Sequence, residues 1–283
     1  MIELGATTAS DVGVLAVGDD LVVNRFGFGA MRITGPGVWG PPTDHAGAIA
    51  VLRRAIDLGV NLIDTADSYG PSTSEELIAE ALTPYPEDLV IATKGGLVRP
   101  GPGQWQADAS PEHLRLACEG SLRRLGLEQI PIYQLHRVDP AVPLAESLGA
   151  LVELRDEGKI LHIGLSNVTV DQLQEAQSIT SIVSVENRYN LGDRSSEEVL
   201  QRCDYERIAF LPWAPLGGLK TNHVAAQIAA RHGATPTQVA LAWLLRRSPV
   251  VLPIAGTSSV AHFDENLAGV AMDLSEAEFA ALN

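Results

Sequence analysis

Eight short runs rich in β-branched and aliphatic residues recur at 25–30, 60–64, 89–94, 130–136, 160–166, 182–187, 207–213 and 250–254, with helical patterns between them. Strands separated by helix-length connections do not pair as hairpins; they form parallel βαβ units. Right-handed crossovers leave eight such units two layouts, a closed barrel and an open doubly wound sheet. Gly27 and Gly29 interrupt the first run, and no Gly-x-Gly-x-x-Gly follows it, which weighs against the doubly wound dinucleotide fold. No linker or low-complexity segment breaks the repeats. The expectation is an α/β fold, a (β/α)8 TIM barrel, in one domain, 1–283; such barrels take about 250 residues.

Local signals punctuate the pattern. Apolar pairs around Gly18-Asp19-Asp20 predict an N-terminal β-hairpin over 15–17 and 21–23. Asp44 caps a helix over 46–58 that Gly59 ends. Thr73-Ser74-Glu75-Glu76 reads as a capping box ahead of a helix over 77–82. Ser110-Pro111 opens a long helix that stops at Gly126, and Thr235-Pro236 opens one over 237–247. Further helices are expected over 146–157, 170–177 and 196–203, with a peripheral one over 275–282.

With 46% apolar residues the chain can build a large core. No run of about 18 apolar residues is present, so no membrane span is expected, and residues 1–20 lack the basic start and apolar stretch of a leader. A net charge of −15 argues against nucleic acid or an anionic membrane as partner. Cys118 and Cys203 stand alone, without metal-ligand spacing, so neither a zinc site nor a disulfide framework is expected. A reducing cytoplasm fits that pattern.

In a barrel of this kind the working residues sit at the C-terminal ends of the strands. Reading those ends in order gives Asp64, Lys94, His136, Ser166-Asn167, Glu186-Asn187 and Trp213, with Tyr69 in the loop after Asp64. Each alone has an ordinary reading: a helix cap, a solvated lysine, a structural histidine, a packed aromatic. Together they suit carbonyl reduction. A tyrosine, with a pKa of about 10, is a reluctant acid at neutral pH, and a neighbouring ammonium favours its phenolate. Lys94 is expected to supply that ammonium, Asp64 to hold Lys94 ionised, and His136 to orient the substrate oxygen by a hydrogen bond. The hydride itself would come from a cofactor.

Asn61-Leu62-Ile63-Asp64-Thr65-Ala66-Asp67-Ser68-Tyr69-Gly70 resembles the aldo-keto reductase motif that carries the catalytic Asp and Tyr. Ile91-Ala92-Thr93-Lys94 and Tyr133-Gln134-Leu135-His136 resemble the family's lysine and histidine strands. Ile163-Gly164-Leu165-Ser166-Asn167, Val185-Glu186-Asn187-Arg188-Tyr189-Asn190, the segment 212–218 and the segment 253–259 resemble its remaining strands, so the likeness runs from about 25 to 267. It implies a nicotinamide cofactor lying along the rim, NADPH with NADH as the alternative, and a small carbonyl substrate. Ser166, Asn167 and Glu186 would face the carboxamide and Trp213 would stack on the ring. The turn carrying Ala214, Leu216, Gly218 and Lys220 would meet the diphosphate. Gly256, Thr257, Ser258, His262, Glu265 and Asn266 would hold the adenosine end, where a helix N-terminus suits an anion. Two residues depart from the family's pattern. Glu186 stands where many members carry Gln, and an ionised carboxylate accepts hydrogen bonds but donates none. His262 stands where many place an arginine beside the 2′-phosphate.

The loops 31–42 and 94–105, with His136-Arg137-Val138-Asp139-Pro140, resemble the bacterial pyridoxal reductase branch. That branch implies pyridoxal as substrate, with Trp39 and Trp105 flanking a flat heteroaromatic ring or, alternatively, only packing their loops. A non-catalytic nicotinamide-binding regulatory barrel is the rival reading, and the complete set Asp64, Tyr69, Lys94 and His136 counts against it. A metal-dependent hydrolase would want several clustered histidines and acids at the strand ends; only His136 ends a strand, so no metal is expected.

Overall fold

The computed structural model describes residues 7–283. The first six residues of the expected domain, and with them the start of the segment read for a leader, lie outside the described residues. In chain order the strands are β1 (Val14–Val17), β2 (Leu21–Asn24), β3 (Phe28–Gly29), β4 (Leu62–Asp64), β5 (Val90–Gly95), β6 (Leu97–Val98), β7 (Gln106–Ala107), β8 (Ile130–Leu135), β9 (Ile160–Ser166), β10 (Ser184–Arg188) and β11 (Ala209–Trp213). The helices are α1 (His45–Asp57), α2 (Thr73–Leu82), α3 (Pro111–Leu125), α4 (Leu144–Asp156), α5 (Val170–Ile179), α6 (Glu197–Glu206), α7 (His223–His232), α8 (Pro236–Arg247), α9 (Val260–Ala268) and α10 (Glu276–Leu282).

Strands β3, β4, β5, β8, β9, β10 and β11 pair in parallel in that order. The run 250–254 closes the ring. The Phe210 amide donates to the Val250 carbonyl at 2.9 Å, the Leu252 amide to Phe210 at 2.9 Å, and the Gly27 amide to Pro253 at 2.9 Å. The chain therefore forms a (β/α)8 barrel with its helices outside. The hairpin of β1 and β2 is antiparallel around the expected turn, and its Val17 and Val23 pack with Leu62, Val90, Ile132 and Leu252 of the barrel interior.

Alternation along the strands decides what enters the barrel. On β4, Leu62 belongs to the interior cluster and Ile63 to the helix-facing layer, which turns Asp64 inward again. Along β5, Val90 and Ala92 face inward and Ile91 outward, and Thr93 meets Glu75 of α2 outside, with its hydroxyl donating to Oε1 at 2.6 Å. Lys94 is thereby inside. On β8 the inward positions are Ile132, Gln134 and His136, with Tyr133 and Leu135 in the outer layer. The interior is apolar at one end of the strands and charged at the other, with Asp64, Lys94 and His136 at the same rim.

Most caps fall where the sequence puts them. Asp44 accepts from the Gly47 amide, Ser110 from His113 and Thr235 from Gln238, and Gly126 adopts the left-handed conformation after α3. At α2 the expectation is off by a turn. Ser72 is the N-cap residue, and Thr73-Ser74-Glu75-Glu76 is the first helical turn, whose Glu75 is taken up by Thr93 and Arg124. Two elements have no counterpart in the sequence reading. One is α7, although Asn222 caps it by accepting from the Ala225 amide and Gly233 ends it. The other is the short hairpin of β6 and β7, which starts within the 94–105 loop and ends just past it.

The glycines that interrupt the first strand belong to the closure. A Cβ at Gly27 would stand 2.9 Å from Leu252 Cδ2, 3.0 Å from Leu62 Cδ2 and 3.1 Å from Ile254 Cγ2. Gly27→Ala is accordingly expected to overpack the seam and lose about 1–3 kcal/mol of stability. Urea unfolding measures this as a lower midpoint at unchanged slope, and an unchanged midpoint would contradict so tight a closure.

Candidate active site

Lys94 has no exposed surface. A bare ammonium there would cost several kcal/mol in lost hydration, so its surroundings must supply negative charge. They do so from β4 beside it and from β10 across the barrel. Nζ donates to both Asp64 oxygens at 2.6 Å and to the Thr65 carbonyl at 2.9 Å, and Glu186 Oε2 lies at 3.0 Å. Gln134 lies between the two acids, its amide nitrogen donating to Asp64 Oδ1 at 3.2 Å and to Glu186 Oε2 at 3.3 Å. Burial opposes the charge on Lys94, but Asp64 and Glu186 outweigh it and hold the pKa above the ordinary lysine range.

Tyr69 and His136 stand over this cluster. Lys94 Nζ is 5.3 Å from the centre of the Tyr69 ring. The Tyr69 and His136 rings meet edge to face with centroids 5.8 Å apart, and Trp105 packs against both at 6.3 and 6.5 Å. Ser68 Oγ lies 3.4 Å from His136 Nδ1. Burial pushes the His136 pKa well below the ordinary value, and the charges of Lys94 and Arg137 push the same way, so the imidazole is neutral. For Tyr69 the balance differs from the sequence expectation. Lys94 does favour the phenolate, but burial, with the charges of Glu186 and Asp64, outweighs it and holds the phenol above its ordinary pKa. Tyr69 is therefore loaded with its proton.

Asp64, Tyr69 and His136 line a cavity of about 840 Å³ together with Trp105, Ser166, Asn167, Glu186, Trp213, Ala214, Leu216 and Gly256. Lys94 sits behind that wall. The Trp213 indole donates to Asn167 Oδ1 at 3.0 Å, and Asn167, in the left-handed region at φ 58°, donates its amide to the His136 carbonyl at 3.1 Å. The indole face is thereby held at the wall. The turn that follows presents backbone: a Cβ at Gly217 would lie 2.5 Å from the Asn190 amide nitrogen. A cavity of this size, with a fixed aromatic face, a polar cluster at one end and a glycine-tight turn, fits an extended dinucleotide.

Seven other expected cofactor residues do not form that wall: Gly218, Lys220, Thr257, Ser258, His262, Glu265 and Asn266. Lys220 is exposed on the short turn after Gly218. Thr257 Oγ1 accepts from the Ser259 amide, Ser258 is exposed, and Ser259 caps α9 by accepting from the His262 amide. The His262 side chain is exposed on the first turn of α9; Asn266 is buried, and the Glu265 carbonyl accepts from Gln238.

The two expected substrate tryptophans separate. Trp105 lines the cavity, whereas Trp39 does not. Arg99 explains the difference. Its guanidinium lies 3.7 Å from the centre of the Trp105 ring and 5.6 Å from that of the Trp39 ring, one cation against both indoles. It donates to the carbonyls of Gly37, Val38, Ser68 and Gln104 at 2.8–3.0 Å, stapling three loops together. Sequence reading assigned no role to Arg99 or to Gln134. Gln134 had a readable signal, since a polar residue two positions before His136 shares its inward face. Arg99 had none, because three of its four carbonyl partners, Gly37, Val38 and Ser68, lie more than 30 residues away.

The model of the Aldo/keto reductase family matches residues 25–283. An uncharacterised oxidoreductase of Schizosaccharomyces pombe is 48% identical over 281 residues, covering 98% of this chain and 91% of that protein. Pyridoxine 4-dehydrogenase of Escherichia coli is 47% identical over 262 residues, covering 90% and 92%. Among solved structures, an aldo-keto reductase from Klebsiella pneumoniae in complex with NADPH superposes with a TM-score of 0.80 at 29% identity, covering 95% of this chain and 93% of that one.

A neutral His136 has a measurable consequence. In the unfolded chain the imidazole takes up a proton below about pH 6.5, but in the folded protein it does not. The unfolded state then binds more protons, so this residue makes stability fall as the pH drops below about 6.5, by at most ~1.4 kcal/mol per pH unit. His136→Asn is expected to show a shallower decline in unfolding free energy between pH 6.5 and 5. Parallel slopes would mean that His136 protonates normally in the fold.

Proposed function

The chain belongs to the aldo/keto reductase family and is an NAD(P)H-dependent enzyme, and from that premise we propose that it uses NADPH to reduce a small flat aldehyde, pyridoxal being the leading candidate. The observation that carries this reading is the convergence of Tyr69 and neutral His136 on one cavity wall, directly over the buried Lys94–Asp64 pair.

A reduced nicotinamide, held by Ser166, Asn167, Glu186 and Trp213, would supply the hydride that the carbonyl carbon accepts. The protein has to accept the charge that then builds on the oxygen. Tyr69 gives its phenolic proton to that oxygen, and the Lys94 ammonium, 5.3 Å from the ring centre, stabilises the phenolate left behind. His136 donates a neutral N–H to the same oxygen and fixes its position. Asp64 holds Lys94 ionised and in place. Trp105 walls the substrate end against water and offers a flat face to an aromatic aldehyde. Ser166, Asn167 and Glu186 serve the carboxamide, and Trp213 the ring.

Pyridoxal is favoured by the Escherichia coli relative, whose name describes the alcohol–aldehyde pair of this vitamer. NADPH is favoured by the Klebsiella structure, which holds it. A barrel that merely bound the dinucleotide would have no use for a desolvated lysine beneath a proton-loaded tyrosine.

A panel of aldehydes and ketones that includes pyridoxal, assayed with NADPH and with NADH, tests the reading. The highest kcat/KM is expected for pyridoxal with NADPH; no reduction of any carbonyl would contradict the assignment. Tyr69→Phe is expected to lower kcat by at least about 10²–10⁴-fold, the usual contribution of general acid catalysis. Its NADPH affinity, followed by tryptophan fluorescence quenching, should barely move. Near-native turnover in that variant would remove Tyr69 from the chemistry.

A further inference from the structure

Glu186 gives the charged cluster one carboxylate more than Lys94 can balance. The Lys94 ammonium has three N–H groups. Both Asp64 oxygens at 2.6 Å and the Thr65 carbonyl at 2.9 Å accept from them, and Glu186 Oε2 lies 3.0 Å away as a further ion-pair partner. Lys94, Asp64 and Glu186 are 0%, 2% and 3% exposed. With all three ionised, the cluster would hold one net negative charge where water hardly reaches, which is unfavourable by several kcal/mol unless the charge is balanced.

Among the described residues, nothing else around Glu186 supplies that balance. Its register neighbour on β9 is Ser166 and on β11 Leu211, and neither is charged. From β8, Gln134 donates to both acids, and His136 beyond it is neutral. Tyr69 carries its proton. Among the described residues, the salt bridges to Asp64 and Glu186 come from Lys94 alone. Two carboxylates against one cation in such a place hold a common proton more readily than both ionise.

We infer that the Asp64–Glu186 pair holds one shared proton at neutral pH, and that Glu186, through Lys94, thereby sets the acid strength of Tyr69. Burial together with the Glu186 charge holds the Asp64 carboxyl well above the ordinary carboxylate range in spite of Lys94, in the same direction. While the proton is present the cluster is neutral, and the Lys94 charge is available to the forming phenolate. When it leaves to solvent, the cluster carries one net negative charge, which opposes that phenolate. Glu186 is thus a positioning residue for the proton transfer. The link to Tyr69 rests on the function proposed above; the shared proton does not.

The test has two arms. The first is NMR of the ligand-free wild type, labelled with ¹³C at the Asp and Glu carboxyl groups, between pH 5 and 9. The Asp64 signal is expected to titrate in a step above the ordinary carboxylate range, and in Glu186→Gln Asp64 should stay ionised throughout. An Asp64 already ionised at pH 5 in the wild type would overturn the shared proton. The second arm is single-turnover hydride transfer across the same range. The wild-type rate is expected to fall severalfold through that step, whereas Glu186→Gln should show no fall there. Equal pH profiles would overturn the link to Tyr69, since a role in packing alone would scale the rate equally at every pH. If neither protein reduces a carbonyl, the proposed function fails, while the NMR arm still decides the shared proton.

Discussion

A lysine with no exposed surface must be surrounded by groups that accept its protons and balance its charge, and much of the upper barrel is arranged around that requirement. Asp64 from β4, the Thr65 carbonyl and Glu186 from β10 converge on Lys94, and Gln134 joins the two acids from β8. Such a cluster adds little net stability compared with an apolar core of the same volume, because desolvation consumes most of the Coulomb gain. Its value lies in a fixed positive charge delivered beneath Tyr69. The energy for holding it is provided by the apolar half of the barrel, where Val17 and Val23 of the hairpin join Leu62, Val90, Ile132 and Leu252. Each such side chain contributes about 1.5–3 kcal/mol on full burial.

Strand alternation couples these two halves. A one-residue slip in β5 would send Lys94 outward to the position of Thr93 and bring Thr93 and Ile91 inside, losing the core and the site together. The seam at 250–254 imposes a similar restriction. Gly27 and Gly29 leave room for Leu252 and the Ile254 carbonyl, and the same closure brings Gly256 to the cavity wall. Fold and chemistry therefore depend on the same register.

Much of this was legible in the chain. The eight strand positions, the hairpin and most helix caps follow from periodicity and from Asp, Ser, Thr and Gly at the expected ends. The catalytic candidates could be placed at one rim because barrel topology converts a strand end into a position. What escaped depends on distant geometry. Arg99 is one of many loop arginines until folding brings four carbonyls and two indoles around it, and that grouping separates Trp39 from Trp105. The direction of the Tyr69 shift also escaped, since residue types reveal Lys94 as a neighbour but not the depth of burial that outweighs it. The missed α7 is different: Asn222 and Gly233 mark its ends plainly.

The barrel holds a tyrosine and a neutral imidazole over a buried charge, and under the proposed function hydride would pass directly from cofactor to carbonyl carbon. Isotope transfer tests that claim most directly. NADPH carrying deuterium on one face of the nicotinamide C4 would be incubated with the enzyme and pyridoxal, and the alcohol product analysed by mass spectrometry and NMR. The account predicts that, for one of the two labelled faces only, a single deuterium appears on the former aldehyde carbon and none is lost to water. Label released to solvent, or product formed with deuterium from both faces alike, would contradict direct transfer within this site.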